Sequence, residues 1–326
     1  MVEPILICAG VYLASYPLNL ASKGLNFDKR ESVKIQTQDE DFYKIQASKK
    51  KYGVIVADTP KRRLKENFAN AAELAYHAYA SLGFEKDNIF FLEGQKLPTN
   101  RFKANNLPCG KERFNEVIEY LSRKITSEDT FFLSVFTHGL PSINIPFAPT
   151  GQSKLVLSKG EIVEKEMEER LGSLKPQYSV LFFNSCFGGG FAKRLGKERN
   201  VAISLSHQNK VACAGMPYYL EKAHGENGSA FTLAFYSALR GQFPDGTSLN
   251  LPSRDLESIF DYASRFEKKE PEGALTPLDE KLLAKYDAEQ AELIRQKIIK
   301  LSSKIPVGRN TPHLVYGKIN PSELIL

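Results

Sequence analysis

Residues 180–190 read VLFFNSCFGGG, and residues 131–139 read FFLSVFTHG. Each stretch starts with a mostly apolar run whose length is typical of a β-strand buried on both faces, as in a parallel sheet. The first run leads into Cys186 and three glycines, and the second leads into His138 and Gly139. Two buried strands are therefore each followed directly by a chemically reactive side chain.

The rest of the chain supplies partners for these two strands. Further apolar runs of strand length are found at 54–57, 89–92, 201–205 and 314–316. Apolar residues recur at helical spacing over 66–82, 111–124 and 231–239, and the charged stretch 278–301 is also helical in pattern. Alternating strands and helices predict an α/β fold, a three-layer α/β/α sandwich with a mostly parallel sheet of about six strands. We assign residues 1–50 to an N-terminal arm and residues 51–326 to one domain.

Composition excludes several classes of function. The net charge of +6 is spread over 326 residues, and Lys49–Lys51 are the only run of three lysines. Nucleic-acid binding proteins usually carry a basic stripe with interleaved aromatic residues, so no nucleic-acid partner is predicted. No apolar run reaches the roughly 18 residues of a membrane helix, so no membrane span is predicted.

The four cysteines show neither the paired spacing of zinc sites nor that of redox sites, so no metal is predicted. They are also too few to form a disulfide scaffold in a chain of this length, which favours a reducing compartment. Residues 4–14 are fairly apolar, but Glu3 precedes them without a Lys or Arg. A cytoplasmic location is therefore favoured, although secretion stays possible.

His138 and Cys186 are predicted to form a catalytic pair. In an open parallel sheet, ligands bind outside the carboxyl ends of the strands, and both residues follow such ends. A thiolate is a strong nucleophile, and an imidazole can keep a thiol ionised or protonate a leaving amine. Gly139 is expected to let the backbone after His138 come close to a substrate, so that its N–H and that of Cys186 can form an oxyanion hole. Gly188–Gly190 are expected to make the sharp turn from strand to helix.

The remaining histidines and cysteines lack this context. His77 lies in a helical pattern, His224 in a loop and His313 near the last strand, while His207 follows a strand without a glycine partner. A structural role is predicted for each, although His207 could line the pocket. Cys8, Cys109 and Cys213 have neither a matching base nor a glycine turn. A lone cysteine after a strand is usually a small buried apolar residue.

The His-Gly and Ser-Cys motifs resemble those of the caspase-like cysteine peptidases, which include caspases, legumain and the catalytic subunit of the GPI transamidase. The separation of His138 and Cys186 is 186 minus 138, or 48 residues, and caspases have roughly 50. Residues 51–94 are similar to the first strand-helix-strand unit of legumain, and NTPHLVYG (310–317) looks like the closing segment of bacterial caspase-like proteins. The resemblance covers about residues 51–245.

This resemblance implies a caspase-like fold for the domain 51–326 and a cysteine endopeptidase that forms a thioester on Cys186 with the help of His138. It implies a peptide or protein substrate and no cofactor. Legumain-like proteins bind the substrate side chain with an Arg-His pair, but those positions are Asn67 and Phe68 here. Arg62 and Arg63 lie nearby and could replace the arginine. The pocket is therefore assigned to Arg62, Arg63, Asn67, Ser185, Ser204, Ser206 and His207.

Several alternatives stay open. The same pair could transfer the acyl group to an amine, as a transamidase or ligase does. A non-proteolytic amidohydrolase of the glutamine-amidotransferase or α/β-hydrolase type would need glycine at 184, where Asn184 stands, and a histidine after the nucleophile. The glycines could bind a phosphate group, but Glu198 follows Lys197 where Ser or Thr is required. A catalytically silent binding module is the non-enzymatic alternative. The oligomeric state and the preferred residue before the scissile bond are not predicted.

Overall fold

The computed structural model describes residues 33–36, 45, 47–58, 65–94, 105–140, 152–206, 229–243, 246, 248–249, 251, 253–267, 292 and 312–326. The chain divides into two compact units, one of residues 32–271 with 308–326 and one of residues 1–31 with 272–307. The fold described below is that of the first unit. The helix predicted at 278–301 lies outside the described residues, except for Glu292, which is helical.

In the described part of the chain, ten strands form the sheet and six α-helices cover it. The strands are β1 Val33–Gln36, β2 Lys51–Asp58, β3 Ile89–Glu93, β4 Asn105–Pro108, β5 Thr130–Leu140, β6 Lys154–Val156, β7 Glu161–Val163, β8 Tyr178–Asn184, β9 Asn200–Ser204 and β10 His313–Tyr316. The helices are α1 Lys65–Ser81, α2 Lys111–Ser122, α3 Glu164–Leu171, α4 Gly188–Leu195, α5 Ala230–Arg240 and α6 Leu256–Glu267.

The main sheet has the strand order β1-β10-β9-β8-β5-β2-β3-β4. From β9 to β4 all neighbours are parallel, whereas β10 runs antiparallel to β9 and β1 runs parallel to β10. The hairpin of β6 and β7 pairs with the end of β5. The predicted three-layer α/β fold with a mostly parallel sheet is confirmed, and all six predicted strands are present. The predicted strand number was wrong, because the four added strands are short and lack a continuous apolar run.

Two apolar cores lie on opposite faces of the sheet. On one face α1, α5 and α6 pack against alternate strand residues such as Phe132 and Phe182. On the other face α2, α3 and α4 pack against their neighbours, such as Leu133 and Phe183. Side chains alternate between the faces of a strand, so strands with helices on both sides must be apolar at nearly every position. This requirement explains the continuous runs in the sequence.

Strand β1 lies within the range that the sequence analysis assigned to an N-terminal arm. It pairs with β10, and Lys34 Nζ donates to Glu257 and Asp261 of α6 at 2.7 and 2.9 Å. Burial alone would lower the pKa of Lys34, but these two hydrogen bonds outweigh it and raise the pKa. Residues 33–36 are thus part of the sheet, and the boundary at residue 50 stays a prediction.

A buried chain of hydroxyl groups joins α1, β5 and α5. Ser134 Oγ lies 2.6 Å from Tyr79 Oη and 2.7 Å from Tyr236 Oη, and all three residues are buried. Burial raises the pKa of both tyrosines well above the usual value, so both phenols stay protonated. Ser134 therefore provides a hydrogen-bond partner for two phenol hydroxyls that are buried away from solvent.

Replacing Ser134 by alanine should lower the free energy of unfolding by about 2–4 kcal/mol, because two buried hydroxyls lose a partner. The triple variant Tyr79→Phe, Ser134→Ala, Tyr236→Phe removes all three hydroxyls and should recover most of this loss. Urea denaturation of the three proteins measures both effects. A triple variant that is less stable than Ser134→Ala would contradict the expectation.

Candidate active site

His138 and Cys186 lie at matched positions just beyond the segment over which β5 and β8 are paired. The parallel pairing of β5 with β8 ends at Phe136 opposite Asn184, and His138 and Cys186 are each two residues further along. Neighbouring strands are spaced about 4.8 Å apart, so the two backbones lie side by side where this pairing ends, at the carboxyl edge of the main sheet. Both residues are partly exposed. The register thus brings the predicted pair to one place on the surface.

The backbones of Gly139 and Cys186 are in direct contact. A Cβ atom built on Gly139 would lie 1.7 Å from the carbonyl oxygen of Cys186 and 3.2 Å from its amide nitrogen. A real Cβ atom does not approach another heavy atom so closely, so only glycine fits at this position. The contact found here is with the backbone of Cys186, and the predicted close approach of Gly139 to a substrate stays a prediction. The oxyanion hole assigned to Gly139 and Cys186 stays a prediction.

The ring of His138 is held between β6 and α1. Its backbone pairs with Val156 of the hairpin, and the preceding Thr137 donates its hydroxyl to the Val156 carbonyl at 2.5 Å. The imidazole meets Phe68 of α1 edge to face, with ring centroids 5.7 Å apart. An aromatic ring that cannot titrate therefore contacts the imidazole of His138.

The sharp turn after Cys186 is made by a residue that the sequence analysis did not single out. Phe187 adopts the left-handed conformation, with φ 59° and ψ 15°, and caps the start of α4. Gly188 N donates back to the Ser185 carbonyl at 3.2 Å, which closes the turn. The expectation that Gly188–Gly190 make this turn was wrong, because these glycines already belong to the helix. No local signal in the sequence marks a phenylalanine for a left-handed conformation.

Gly190 is required for packing rather than for the turn. A Cβ atom on Gly190 would lie 2.0 Å from Oε1 of Glu164, the first residue of α3. This carboxylate oxygen accepts a hydrogen bond from Ser153 N at 2.7 Å, and its partner oxygen lies 3.8 Å from Arg194 Nε. A carboxylate of the chain itself therefore lies against the first turn of α4, where the phosphate-binding alternative would place its anion. The structure gives that alternative no support.

The two serines assigned to the pocket wall have a structural contact instead. Ser204 and Ser206 are fully buried, and both hydroxyls donate to backbone carbonyls. The reason is that residues 204–206 continue directly from β9 and pack beneath the turn that carries Cys186. Their side chains thus support the backbone, and any contact with substrate would have to come from elsewhere in this segment.

The other pocket residues are only partly covered by the described chain. Ser185 is buried, and its Oγ has no hydrogen-bond partner among the described residues. The same is true of Oδ1 of Asn67, in the first turn of α1. Arg62, Arg63 and His207 lie outside the described residues. The roles of all these residues in substrate binding stay predictions.

Cys109 differs from Cys186 in its surroundings. It is buried, and burial together with the neighbouring Asp58 raises the pKa of its thiol far above the usual value. A neutral buried thiol is neither a nucleophile nor a metal ligand. Cys8 and Cys213 lie outside the described residues. Among the described cysteines, only Cys186 is therefore accessible to a reagent from solvent.

Two further histidines are described. His77 lies on α1, with Nε2 3.7 Å from Glu73. His313 opens β10 opposite Ser204, so it lies at the same sheet edge as Cys186. Strand β9 separates β10 from β8, which corresponds to about 10 Å between the outer strands. His313 is thus the described histidine that a mechanism with the base after the nucleophile would have to use. His224 lies outside the described residues.

Two features are absent from the part of the chain that the structure describes. No cluster of three or more His, Cys, Asp or Glu side chains arranged for a metal ion occurs within it. None of its helices has the length and apolar character needed to cross a membrane.

Comparison with known proteins gives matches at the level of the fold. No family model matches the chain, and no curated protein is similar to it. Among solved structures, caspase-1 from Spodoptera frugiperda aligns with 88% of this chain and 94% of its own, at 12% identity and a TM-score of 0.48. A structural-genomics target from Geobacter sulfurreducens aligns with 85% of this chain and 97% of its own, at 16% identity and a TM-score of 0.50. At such identities the chain is similar to these proteins in fold alone.

Proposed function

We propose that this protein is a cysteine peptidase in which Cys186 is the nucleophile and His138 the general acid and base. The observation that carries the proposal is the backbone contact between Gly139 and Cys186. This contact places the backbone of Gly139, which follows His138, against the backbone of the nucleophile at the carboxyl edge of the sheet. A nucleophile and a base on two such neighbouring ends are the arrangement that acyl transfer needs.

Each residue has a definite part in the proposed reaction. The Cys186 thiolate attacks the carbonyl carbon of the scissile peptide, and the N–H groups of Gly139 and Cys186 stabilise the resulting oxyanion. His138 gives its proton to the leaving amine as the C–N bond breaks, which leaves a thioester. Water then gives a proton to neutral His138 and attacks the thioester. The C–S bond breaks, which releases the carboxylic acid and restores the Cys186 thiolate and the His138 imidazolium.

The start of α4 supports the anionic form of the nucleophile. This helix begins two residues after Cys186, and the N-terminal end of a helix carries a partial positive charge. The same end of a helix favours the thiolate over the thiol. The described residues near Cys186 thus supply both an electrostatic reason for ionisation and a histidine to exchange the proton.

A fluorogenic peptide library varied at the residue before the scissile bond tests the proposal on the wild-type protein and on Cys186→Ala. We expect cleavage of part of the library by the wild type and none by Cys186→Ala. Cleavage that persists in the variant would refute the assignment. Adding a short peptide with a free N-terminal amine distinguishes hydrolysis from acyl transfer, because a transferase would release mainly the ligated peptide and a hydrolase mainly the carboxylic acid.

Iodoacetamide labelling, followed by peptide mapping, tests the alternative that the protein is a catalytically silent binding module. We expect Cys186 to be alkylated in the native protein much faster than Cys109, which is buried. If Cys186 is labelled no faster than Cys109 and the library is not cleaved, the silent binding module is the better explanation.

A further inference from the structure

The turn that carries Cys186 is closed by a hydroxyl group from a different part of the chain. Ser206 Oγ donates to the Ser185 carbonyl at 2.9 Å and accepts from Gly188 N at 3.1 Å. Ser185 and Gly188 are the two ends of the turn, and Cys186 lies between them. Ser206 is 1% exposed, so water does not compete for these two bonds. A single buried hydroxyl thus bridges the residues on both sides of the nucleophile.

The conformation of the turn explains why such a bridge is needed. Phe187 is left-handed, and this conformation is unfavourable for any residue that has a Cβ atom. Strained conformations of this kind persist only where the surrounding structure holds them. Within the turn itself, the Gly188 N–H to Ser185 carbonyl bond is 3.2 Å long, a modest constraint. The bridge from Ser206 supplies a second one.

Ser206 is itself anchored to the sheet. Its carbonyl accepts a hydrogen bond from the Ser204 hydroxyl at 3.1 Å, and Leu205 N donates to the Phe183 carbonyl at 3.2 Å. Phe183 and Ser204 are themselves opposite each other in the pairing of β8 with β9. The position of the Ser206 hydroxyl is therefore set by the sheet, and the turn is held relative to the strand ends rather than only to itself.

We propose that Ser206 is the positioning residue of the nucleophile, whose hydroxyl holds the Cys186 turn in its left-handed form and the sulfur at the edge shared with His138. It does not touch substrate and moves no proton. Without the hydroxyl, the turn relaxes toward conformations in which the sulfur leaves the end of α4. The number of productive molecules then falls, while the binding of peptide changes little. The kinetic part of the test described below rests on the proposed peptidase function, whereas the alkylation part does not.

The chain allows a matched comparison of Ser206→Thr with Ser206→Val. The two side chains have the same shape, so any misfit from the added methyl group is common to both, and only threonine keeps the hydroxyl. Ser206→Ala tests the loss without added volume. Ser134→Ala is the control, because it also removes a buried serine hydroxyl that makes two hydrogen bonds, but one outside the turn.

We expect Ser206→Val and Ser206→Ala to lower kcat about 10- to 100-fold with KM nearly unchanged, as misplacement of a catalytic group does. Ser206→Thr should stay within about threefold of the wild type, since it retains the hydroxyl. Ser134→Ala should keep the wild-type kcat per folded molecule although it is less stable. Thermal unfolding of each variant, followed by circular dichroism, gives the folded fraction.

The pH dependence of Cys186 alkylation by iodoacetamide provides a readout that needs no peptide cleavage. In Ser206→Val and Ser206→Ala the midpoint of this profile should move up toward that of a free thiol, about pH 8.5, because the sulfur leaves the helix end and the histidine. It should not move in Ser206→Thr or Ser134→Ala.

Equal kcat values and equal alkylation midpoints for Ser206→Thr and Ser206→Val would overturn the positioning role. If the wild type cleaves peptides and these two variants do not differ, the peptidase proposal stands and the positioning role fails. If no peptide is cleaved but the midpoint moves as expected, the positioning role stands and the peptidase proposal fails.

Discussion

In His138→Gln, kcat/KM for any peptide that the wild-type protein cleaves should fall by about 10³–10⁴-fold, because the amide can hydrogen-bond but cannot exchange a proton. The parallel pairing of β5 with β8 ends two residues before His138 and two residues before Cys186, and the backbone of His138 pairs with β6 of the hairpin. Its loss should therefore remove general acid catalysis without displacing the nucleophile. Steady-state kinetics on the best peptide of the library measure the effect.

His313→Gln is the matched control for this prediction. His313 lies at the same edge of the sheet, is buried, and follows the nucleophile in sequence, as an amidotransferase-like or hydrolase-like mechanism requires. We expect the activity of His313→Gln to stay within about threefold of the wild type, because a site two strands away is out of reach for proton transfer. If the two variants show the reverse order of activity, the base is His313 and the assignment of His138 is wrong.

Gly139→Ala should reduce activity by about 10²–10³-fold even where the protein still folds. The added methyl group would lie 1.7 Å from the Cys186 carbonyl oxygen, so β5 and the Cys186 turn must move apart. This movement displaces the Gly139 N–H from the place where the oxyanion forms. We also expect a loss of about 1–3 kcal/mol in the free energy of unfolding, as for other overpacked sites. Activity per folded molecule and urea denaturation measure the two effects separately.

Gly188→Ala provides the comparison at another glycine beside the nucleophile. A Cβ atom on Gly188 would lie 3.1 Å from Ser185 Oγ and 3.3 Å from the Phe183 carbonyl oxygen, contacts that small shifts can relieve. Its helical position also favours alanine over glycine, by up to about 1 kcal/mol. We expect Gly188→Ala to keep most of its activity. Activity in Gly139→Ala that equals that of Gly188→Ala would show that the backbone contact has no part in catalysis.

The locations of the candidate nucleophile and base could be predicted from sequence because both follow continuous apolar runs. Strands buried on both faces must be apolar throughout, so 131–136 and 180–183 are recognisable without knowledge of their partners. The glycine after His138 was also informative, because close contact of two backbones excludes every side chain. The apolar pattern of a strand, its length and the presence of a glycine after it are local properties. They can therefore be recognised in a short stretch of sequence.

Some elements could not be recognised because their formation depends on distant contacts. Strand β1 is only four residues long, and its pairing partner β10 lies 280 residues further along the chain, as 313 minus 33 shows. Helix α3 has only two buried residues, Met167 and Leu171, which is too few for a periodic pattern. The reversed direction of β10 relative to β9 has no counterpart in the composition of either strand.

By itself, the sequence determined the class of fold, the six central strands, and the two strand ends that carry His138 and Cys186. Only the tertiary structure decided how the nucleophile is held. It placed Phe187 in a left-handed turn, bridged that turn with Ser206, and put the carboxylate of Glu164 against Gly190. The physical reason is that each buried strand must be apolar along its own length, whatever its partners are. The turn is instead held by hydrogen bonds and contacts between residues that meet only after the sheet has formed.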